Sequence, residues 1–508
     1  MKKSTKRKIA TVGGLTGISR ALGFVRDMVM AWLLGAGFLA DAFIVAFRIP
    51  NLLRRFMAEG AVSVAFVPVF VESKEKDGLQ KAIELTRGVF TLLFFSLAGL
   101  VILGEIVAPF IVAFIAPGFL DREIFDVTVR LTRIMFPFIL LIGTGALLMG
   151  VLNSLGHFSA PAGAPILLNV FMIGMPVLFH VVYPVFSSPA DAFAWGVILG
   201  GIAQILLQAV PLRGMRVSLG FTRNFFHPRL RQVLKLMGVA AVGASVYQLN
   251  VFIGTLLASL LSTGSVSYLY YANRIVELPL GLFAFAVSNV MLPSLSAAYA
   301  RTDHQALRAL TGESLIAVLL FTIPATIGII ALAEPIFAVL FMRGAFGPED
   351  VAASAQALRM YALGLCAVGV SRVLTQTLYA MQQANRVVRT AWISLAVNVL
   401  LSAALMPFLK HAGIALASSI SVAMQTVMLS RILTRQGITL SAEIWSTVGK
   451  MAGAVAAMGA GLFWFVRMEF WTEGLTLMSL SLLVSSIGLG AAVYFTLLWV
   501  MGVRHFGR

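Results

Sequence analysis

Apolar runs long enough to cross a bilayer recur from one end of this chain to the other, and they constrain its fold more than any other feature. Fourteen can be traced, near residues 9–35, 41–71, 83–114, 126–152, 160–184, 190–211, 233–262, 267–298, 309–340, 352–381, 387–409, 413–434, 445–467 and 475–502. Only 12% of the 508 residues are charged, about half the fraction usual in a soluble protein. The chain is therefore read as an all-α polytopic membrane protein of about 14 transmembrane helices. Several runs exceed the ~20 residues a crossing needs, which implies tilt or extension beyond the bilayer. Pro50, Pro137, Pro279 and Pro324 lie inside apolar runs and predict kinks or broken turns.

Basic residues set the orientation. On the side of the N-terminus lie five before the first span, three after the second, six between the sixth and seventh, and two in each later connection on that side and at the C-terminus. Opposite them lie Arg122, Arg343, Lys410 and Arg467 alone. Both termini are thus expected on the cytoplasmic side, and the net charge of +17 reflects cytoplasmic loops rather than nucleic-acid binding. Lys2, Lys3, Lys6, Arg7 and Lys8 precede an apolar stretch longer than a signal-peptide core, with no small-residue cleavage site behind it, so no cleavable leader is expected.

The two halves resemble each other. Ala61-Val62-Ser63 with Pro68 recurs as Ala286-Val287-Ser288 with Pro293, and Arg48-Ile49 recurs one residue out of step as Arg274-Ile275. This offset lays the second span on the eighth. A shift of six spans keeps both repeats in the same orientation, as in parallel-repeat transporters. The expected organisation is an N-terminal lobe at 1–211, a basic cytoplasmic linker at 212–232, a C-terminal lobe at 233–435 and two additional helices at 436–508, with the lobes around a central cavity.

Charge within the spans points to function. Arg20, Arg26, Arg48, Arg54 and Arg55 fall in the first two apolar runs. A guanidinium facing lipid at mid-membrane costs roughly 2.5–3.5 kcal/mol on insertion scales, so these side chains must meet water, counter-charges or an anionic ligand. With Asn51 at zero, Arg48, Arg54, Arg55 and Glu59 all fall within about 80° of it on a helix. Ser19 and Arg26 share a face of the first span, as do Arg20 and Asp27. Arg26 and Arg54 each sit roughly 25 Å along their helices from the cytoplasmic ends, so they can meet at one level. Arg274 lies in the other half, one turn from Glu277. These arginines can pair with Asp27, Asp41, Glu59 and Glu277, but six guanidiniums against four carboxylates leave an excess of positive charge. Arginine also suits forked binding of phosphate oxygens.

Other signals carry less. Gly13, Gly14, Gly17 and Gly23 read as a close helix-packing stripe, since no strand precedes them to make a phosphate loop. Asn153, His157 and Asn169 read as cap or turn residues near a cytoplasmic loop, and His411 as part of a short external loop. Cys366, the single cysteine, makes neither a disulfide framework nor a cysteine-rich metal site. There are no paired carboxylates at catalytic spacing and no HExxH, CxxC or GxSxG, so the chain is read as a transporter and not an enzyme, without a metal site or resident cofactor.

Ser19-Arg20-x-Leu22-Gly23-Phe24-x-Arg26-Asp27, Asp41-Ala42-Phe43, the P-N-L-L-R-R stretch at 50–55 and A-E-G-A at 58–61 resemble the MurJ/MviN lipid II flippases. That family belongs to the multidrug/oligosaccharidyl-lipid/polysaccharide exporter superfamily. The likeness continues at A-P-G-F 116–119, F-P-F-I-L-L 136–141, Y-Y-A-N-R 270–274 and L-P-S-L-S 292–296. The resemblance implies a fourteen-helix alternating-access transporter in the bacterial cytoplasmic membrane, with the phospholipid bilayer around it and other cell-wall synthesis proteins as further partners. It would flip the undecaprenyl-pyrophosphate-linked peptidoglycan precursor lipid II from the inner to the outer leaflet. By motif, its substrate residues are Arg20, Arg26, Arg54 and Arg274, with Asp27, Asp41, Asn51 and Glu59 around the same cavity, and the last two spans would hold the lipid tail. Two departures stand out. Asn273 occupies a position that is acidic in some members. The carboxylates through which some members bind sodium are missing from spans 7 and 10 to 12, so membrane potential rather than sodium is the expected driving force. A flippase for another pyrophosphate-linked oligosaccharide, and a multidrug exporter of the same superfamily, are the alternatives.

Overall fold

A computed structural model of the chain describes residues 3–54, 62–120, 122–186, 188–215, 217, 219–223, 228–439, 442–466 and 474–503. Seventeen α-helices make up almost all of it, and no strand occurs among the described residues. In chain order they are α1 (Lys3–Leu34), α2 (Phe38–Arg54), α3 (Val62–Asp77), α4 (Leu79–Ile115), α5 (Glu123–Met135), α6 (Phe138–Ser154), α7 (Ser159–Pro176) and α8 (Pro189–Gly214). There follow α9 (Pro228–Ser259), α10 (Ser265–Pro279), α11 (Phe285–Ala300), α12 (His304–Phe341), α13 (Pro348–Ala362), α14 (Leu365–Ala380), α15 (Ala384–Thr434), α16 (Ala442–Val466) and α17 (Leu477–Val500). Seven helical stretches are long and apolar enough to cross a membrane, and an eighth joins them if α13 and α14 form one bent span. At 1.5 Å per residue, α4 and α12 are each roughly 55 Å long and must project beyond a ~30 Å hydrocarbon core.

The repeat extends to whole helices. α4 and α12 begin at 79 and 304, α5 and α13 at 123 and 348, and α7 and α15 at 159 and 384. Each start recurs at the offset that the Ala-Val-Ser match indicates.

Two of the four expected proline breaks have a structural counterpart. Pro50 lies inside α2, which runs on through it to Arg54, its last described residue. Pro137 separates α5 from α6. Pro279 ends α10 where a π turn, Leu280–Ala284, begins. Pro324 breaks nothing, because α12 runs on through it to Phe341. A further bend, of 40°, falls between α13 and α14, where no proline stands. There a Cβ on Gly364 would lie 2.7 Å from Ser419 Oγ, and the Ser419 hydroxyl donates to the carbonyl of Met360 at 2.7 Å. The glycine admits the serine, and the serine satisfies a carbonyl released by the bend.

The chain divides into two compact units, Met1–Thr263 and Gly264–Arg508. This division differs from the linker expected at 212–232, because α9 packs with the first unit, against α3 and α4. The basic connection is itself held there. Phe221 lies between Phe90 and Phe94, with ring centroids 5.4 and 5.1 Å away, and the Thr222 amide donates to Thr91 Oγ1 at 3.0 Å. At the start of α9, Arg229 pairs with Asp77 at 2.8 Å and Glu72 at 3.6 Å. A hydrogen bond from Lys76, then its charge and that of Arg229, hold the Glu72 carboxyl below its usual range. Removing Arg229 should loosen the first turn of α9, raising amide exchange there a few-fold. Because the Glu72 pKa is lowered, its share is present above the unfolded-state value and fades as pH falls through the folded-state value.

The core of the first unit is built by α3, α4 and α6, where Phe66, Phe70, Leu85, Ile139, Leu147 and Val151 are buried. In the second unit Tyr271, Phe337, Phe341 and Phe346 form an aromatic cluster. Outside these cores, Phe110, Phe114, Phe408, Trp464 and Leu477 are exposed. Such an apolar exterior suits lipid and would be costly in water.

Spans 11 and 12 are joined without a loop. They form the two limbs of α15, reversing at Lys410, whose φ is 50° and ψ −134°. His411 is buried, not part of an external loop: its Nε2 lies 2.9 Å from the Ala353 carbonyl and its ring 5.1 Å from Tyr268. Gly413 lets the limbs meet, since a Cβ there would fall 2.8 Å from the Leu405 backbone.

Candidate functional site

In the first unit Arg26, 9% exposed, and Asp27, 2% exposed, are enclosed charges side by side on α1. The helix that closes over them is α7. Arg26 sends Nε and Nη2 to one oxygen of Asp27, at 3.1 and 2.7 Å, and Nη1 to Asn169 Oδ1 of α7 at 3.1 Å. Met172 Sδ lies 4.0 Å from the same Nη1. Asn169 in turn donates Nδ2 to the Ser19 carbonyl at 3.1 Å. Gly23 lies beside this amide, where a Cβ would stand in ordinary contact, 3.6 Å from Asn169 Nδ2.

Asn169 thus clasps α1 two turns apart, at Ser19 and at Arg26. The bond to Arg26 is buried and so expensive to lose, and the bond to Ser19 is partly buried. Both Asp27 contacts converge on Oδ1, whereas a guanidinium fork is matched to two oxygens. A phosphate or pyrophosphate presenting two oxygens fits that fork better than the present single-oxygen contact.

The helical faces hold along the unbroken α1, but exposure changes along it. Arg20 is exposed while Asp27, seven residues on, is buried. Ser19 contributes its carbonyl to the clasp. On α2, Asp41 is buried, and Arg48 and Asn51 are half-buried. The side chain of Arg54, at the end of α2, lies outside the described residues, as do Arg55 and Glu59 entirely. Gly13, Gly14 and Gly17 are not packing glycines, because a Cβ on any of them would meet nothing within 4 Å.

In the second unit Arg274 is held by its own helix. Its Nη1 donates to Glu277 Oε2 at 3.0 Å and its Nη2 to the Tyr270 hydroxyl at 3.0 Å. The guanidinium carbon sits 4.9 Å from the centre of the Tyr270 ring, a cation–π arrangement that restrains it further. Asn273 donates to the other Glu277 oxygen at 3.1 Å. The neutral residue at 273 therefore takes part in orienting the carboxylate that holds Arg274. Spacing on one helix made the Arg274–Glu277 pair legible; Tyr270 shared that face and passed unnoticed.

Asn169 is the residue that sequence reading places wrongly. It is a buried polar anchor in the body of α7, 6% exposed, and not a cap or turn residue. The available signal was an asparagine inside an apolar run, where a polar side chain needs a partner.

The family model described as "Lipid II flippase MurJ" matches residues 30–485. The chain is 36% identical over 507 residues to a protein from Burkholderia cenocepacia named lipid II flippase MurJ, covering 98% of each. A probable lipid II flippase MurJ from Vibrio cholerae is 35% identical over 505 residues, covering 97% of this chain and 95% of that one. Among solved structures, lipid II flippase MurJ in an inward closed conformation superposes with a TM-score of 0.75 at 25% identity, covering 96% of this chain and 98% of that one. An inward-facing multidrug MATE transporter of the MOP superfamily shares the fold at 16% identity, with a TM-score of 0.69 over 82% of this chain and 94% of that one. With the model matching most of its length and relatives above 30% identity covering nearly all of it, the chain belongs to the lipid II flippase MurJ family.

Proposed function

We propose that this protein carries the lipid-linked peptidoglycan precursor lipid II across the bacterial cytoplasmic membrane by alternating access. The match along almost its whole length to proteins named as lipid II flippases carries this reading. The chemistry agrees with it. A pyrophosphate needs donors held in a dehydrated site, and Arg26 is a nine-tenths buried guanidinium whose fork suits two oxygens. In the second unit Arg274 is fixed by Tyr270 and Glu277, and the proposed substrate residues also include Arg20, Arg48, Arg54, Asn51, Asp41 and Glu59. A cationic multidrug substrate would instead call for intramembrane carboxylates in excess.

In this reading the chain crosses the membrane fourteen times with both termini in the cytoplasm. Membrane potential acting on the charged headgroup is the driving term in place of bound sodium. The protein works without enzymatic chemistry.

Purified protein in vesicles loaded with lipid II in the inner leaflet should expose the headgroup to an external, membrane-impermeant probe. The rate should exceed that of protein-free vesicles and depend on an imposed potential. Vesicles in which the headgroup stays inaccessible under both polarities would refute the reading.

A further inference from the structure

The connection from α8 to α9 carries basic charge without acid, and it lies against the helices. No Asp or Glu occurs between Asp191 and Glu277. Along the connection and its two helix ends stand Arg213, Arg223, Arg229, Arg231 and Lys235. Arg229 pairs with Asp77 and Glu72 of α3. Arg213, Arg223, Arg231 and Lys235 are exposed and make no ion pair among the described residues. Val217 is buried in the core of the first unit and Leu219 packs against it. Together with the bond from the Thr222 amide to Thr91 they fix Phe221 on α4.

The level at which Phe221 is held is the second observation. On α4 no charged residue occurs between Arg87 and Glu105. Phe90 and Phe94, which flank Phe221, stand three and seven residues past Arg87, roughly 5–10 Å further along the helix. Interfacial segments bury their apolar faces to the same depth, ~5–10 Å into the boundary between headgroups and acyl chains. Phe221 is 59% exposed there, and Phe95, with its centroid 5.5 Å away, is 60% exposed. Open phenyl rings at this level are costly in water and favourable in lipid. The four unpaired cations on the same connection complement the negative charge of anionic lipid headgroups.

We propose that the connection between α8 and α9 is an interfacial strap that binds the headgroups of anionic phospholipids. Phe221 and Phe95 enter the acyl boundary, and Arg213, Arg223, Arg231 and Lys235 meet the phosphates. The aromatic contact sets the depth and the cations set the preference for negative headgroups. This lipid contact is separate from the arginine site and does not rest on lipid II transport.

The test reads lipid at the strap itself. The full chain carries Cys366→Ala and Gly220→Cys, with a fluorophore on the new thiol; a Cβ on Gly220 meets nothing within 4 Å. It is placed in vesicles of equal parts phosphatidylglycerol and phosphatidylcholine, with one lipid or the other brominated as a quencher in both leaflets. The outcome is therefore independent of which side faces the cytoplasm. Brominated phosphatidylglycerol should quench at least twofold more than brominated phosphatidylcholine, and 0.5 M salt, on the order of what shortens screening to a few Å, should reduce the difference. Arg213→Gln, Arg223→Gln and Arg231→Gln together should remove the difference at unchanged thermal stability, and Phe221→Ser should weaken quenching by both lipids. Changing the exposed Arg386, Arg389 and Arg435 to Gln should leave it in place. Equal quenching by the two lipids in the parent overturns the proposal, as does quenching by neither. An equal effect of the Arg386, Arg389 and Arg435 changes would also overturn it, because a general charge effect would then suffice.

Discussion

Arg26→Lys should lower lipid II binding and flipping by about 10- to 150-fold, although the charge is retained. This is the factor that corresponds to the loss of one charge-assisted hydrogen bond, at roughly 1.5–3 kcal/mol. The guanidinium engages Asp27 through Nε and Nη2 and Asn169 through Nη1, and an ammonium on a flexible stem cannot reproduce three directions at once. Arg26→Ala should abolish transport, but by itself it says little. Removing one member of a buried ion pair costs about 3–5 kcal/mol of stability, so loss of fold and loss of function would look alike. The informative variant is Arg26→Met with Asp27→Asn, which removes both charges together. If Arg26 serves only to neutralise Asp27, this double variant should fold and transport. If it binds the pyrophosphate, the variant should fold, insert and fail to bind. Flipping is measured in vesicles at equal folded amounts, and parent-like flipping by the double variant would remove Arg26 from the substrate site.

Much of the architecture was legible because lipid leaves few choices. A backbone in hydrocarbon must satisfy itself, so every long apolar run had to become a helix or a broken helix. The repeat was visible from one short match, and the helix starts at 79 and 304 or 159 and 384 follow the same spacing. Two kinds of feature were hidden. Bends without proline, such as the one at Gly364, depend on a serine 55 positions away that replaces a lost backbone hydrogen bond, and no local pattern carries that. The packing of α9 against α3 and α4 was likewise unreadable, since the Phe221 and Arg229 contacts join segments more than a hundred residues apart.

The candidate site divides along the same line. Residues of one helix were paired correctly when three or four positions apart, as Arg274 and Glu277 were. Seven-residue spacing on α1 gave shared faces but not burial, because exposure changes along the helix: Arg20 is exposed and Asp27 is enclosed by α7. Which helix would close over Arg26 is a tertiary fact, and with it came Asn169.

Asn169 gives the second large effect, and its substitutions separate charge from shape. Its amide accepts from Arg26 and donates to the Ser19 carbonyl, so Asn169→Leu takes a partner from the buried guanidinium and a second donor from the partly buried carbonyl. A buried group that loses a partner costs about 1–3 kcal/mol, so this variant should lose stability and transport together. Asn169→Asp behaves differently. It keeps the size of the side chain and an oxygen facing Arg26, and it gives the guanidinium a second carboxylate beside Asp27. As a purely structural element, Arg26 would gain from a stronger, charge-assisted contact, and transport should survive in proportion to folded protein. As an anion site, it would be occupied by a carboxylate that competes with the pyrophosphate, and binding should fall at least tenfold even where the protein remains folded. Measuring lipid II affinity and thermal stability on the same samples distinguishes the cases. An Asn169→Asp protein that is stable and flips at the parental rate would mean that the Arg26 guanidinium does not contact the transported anion.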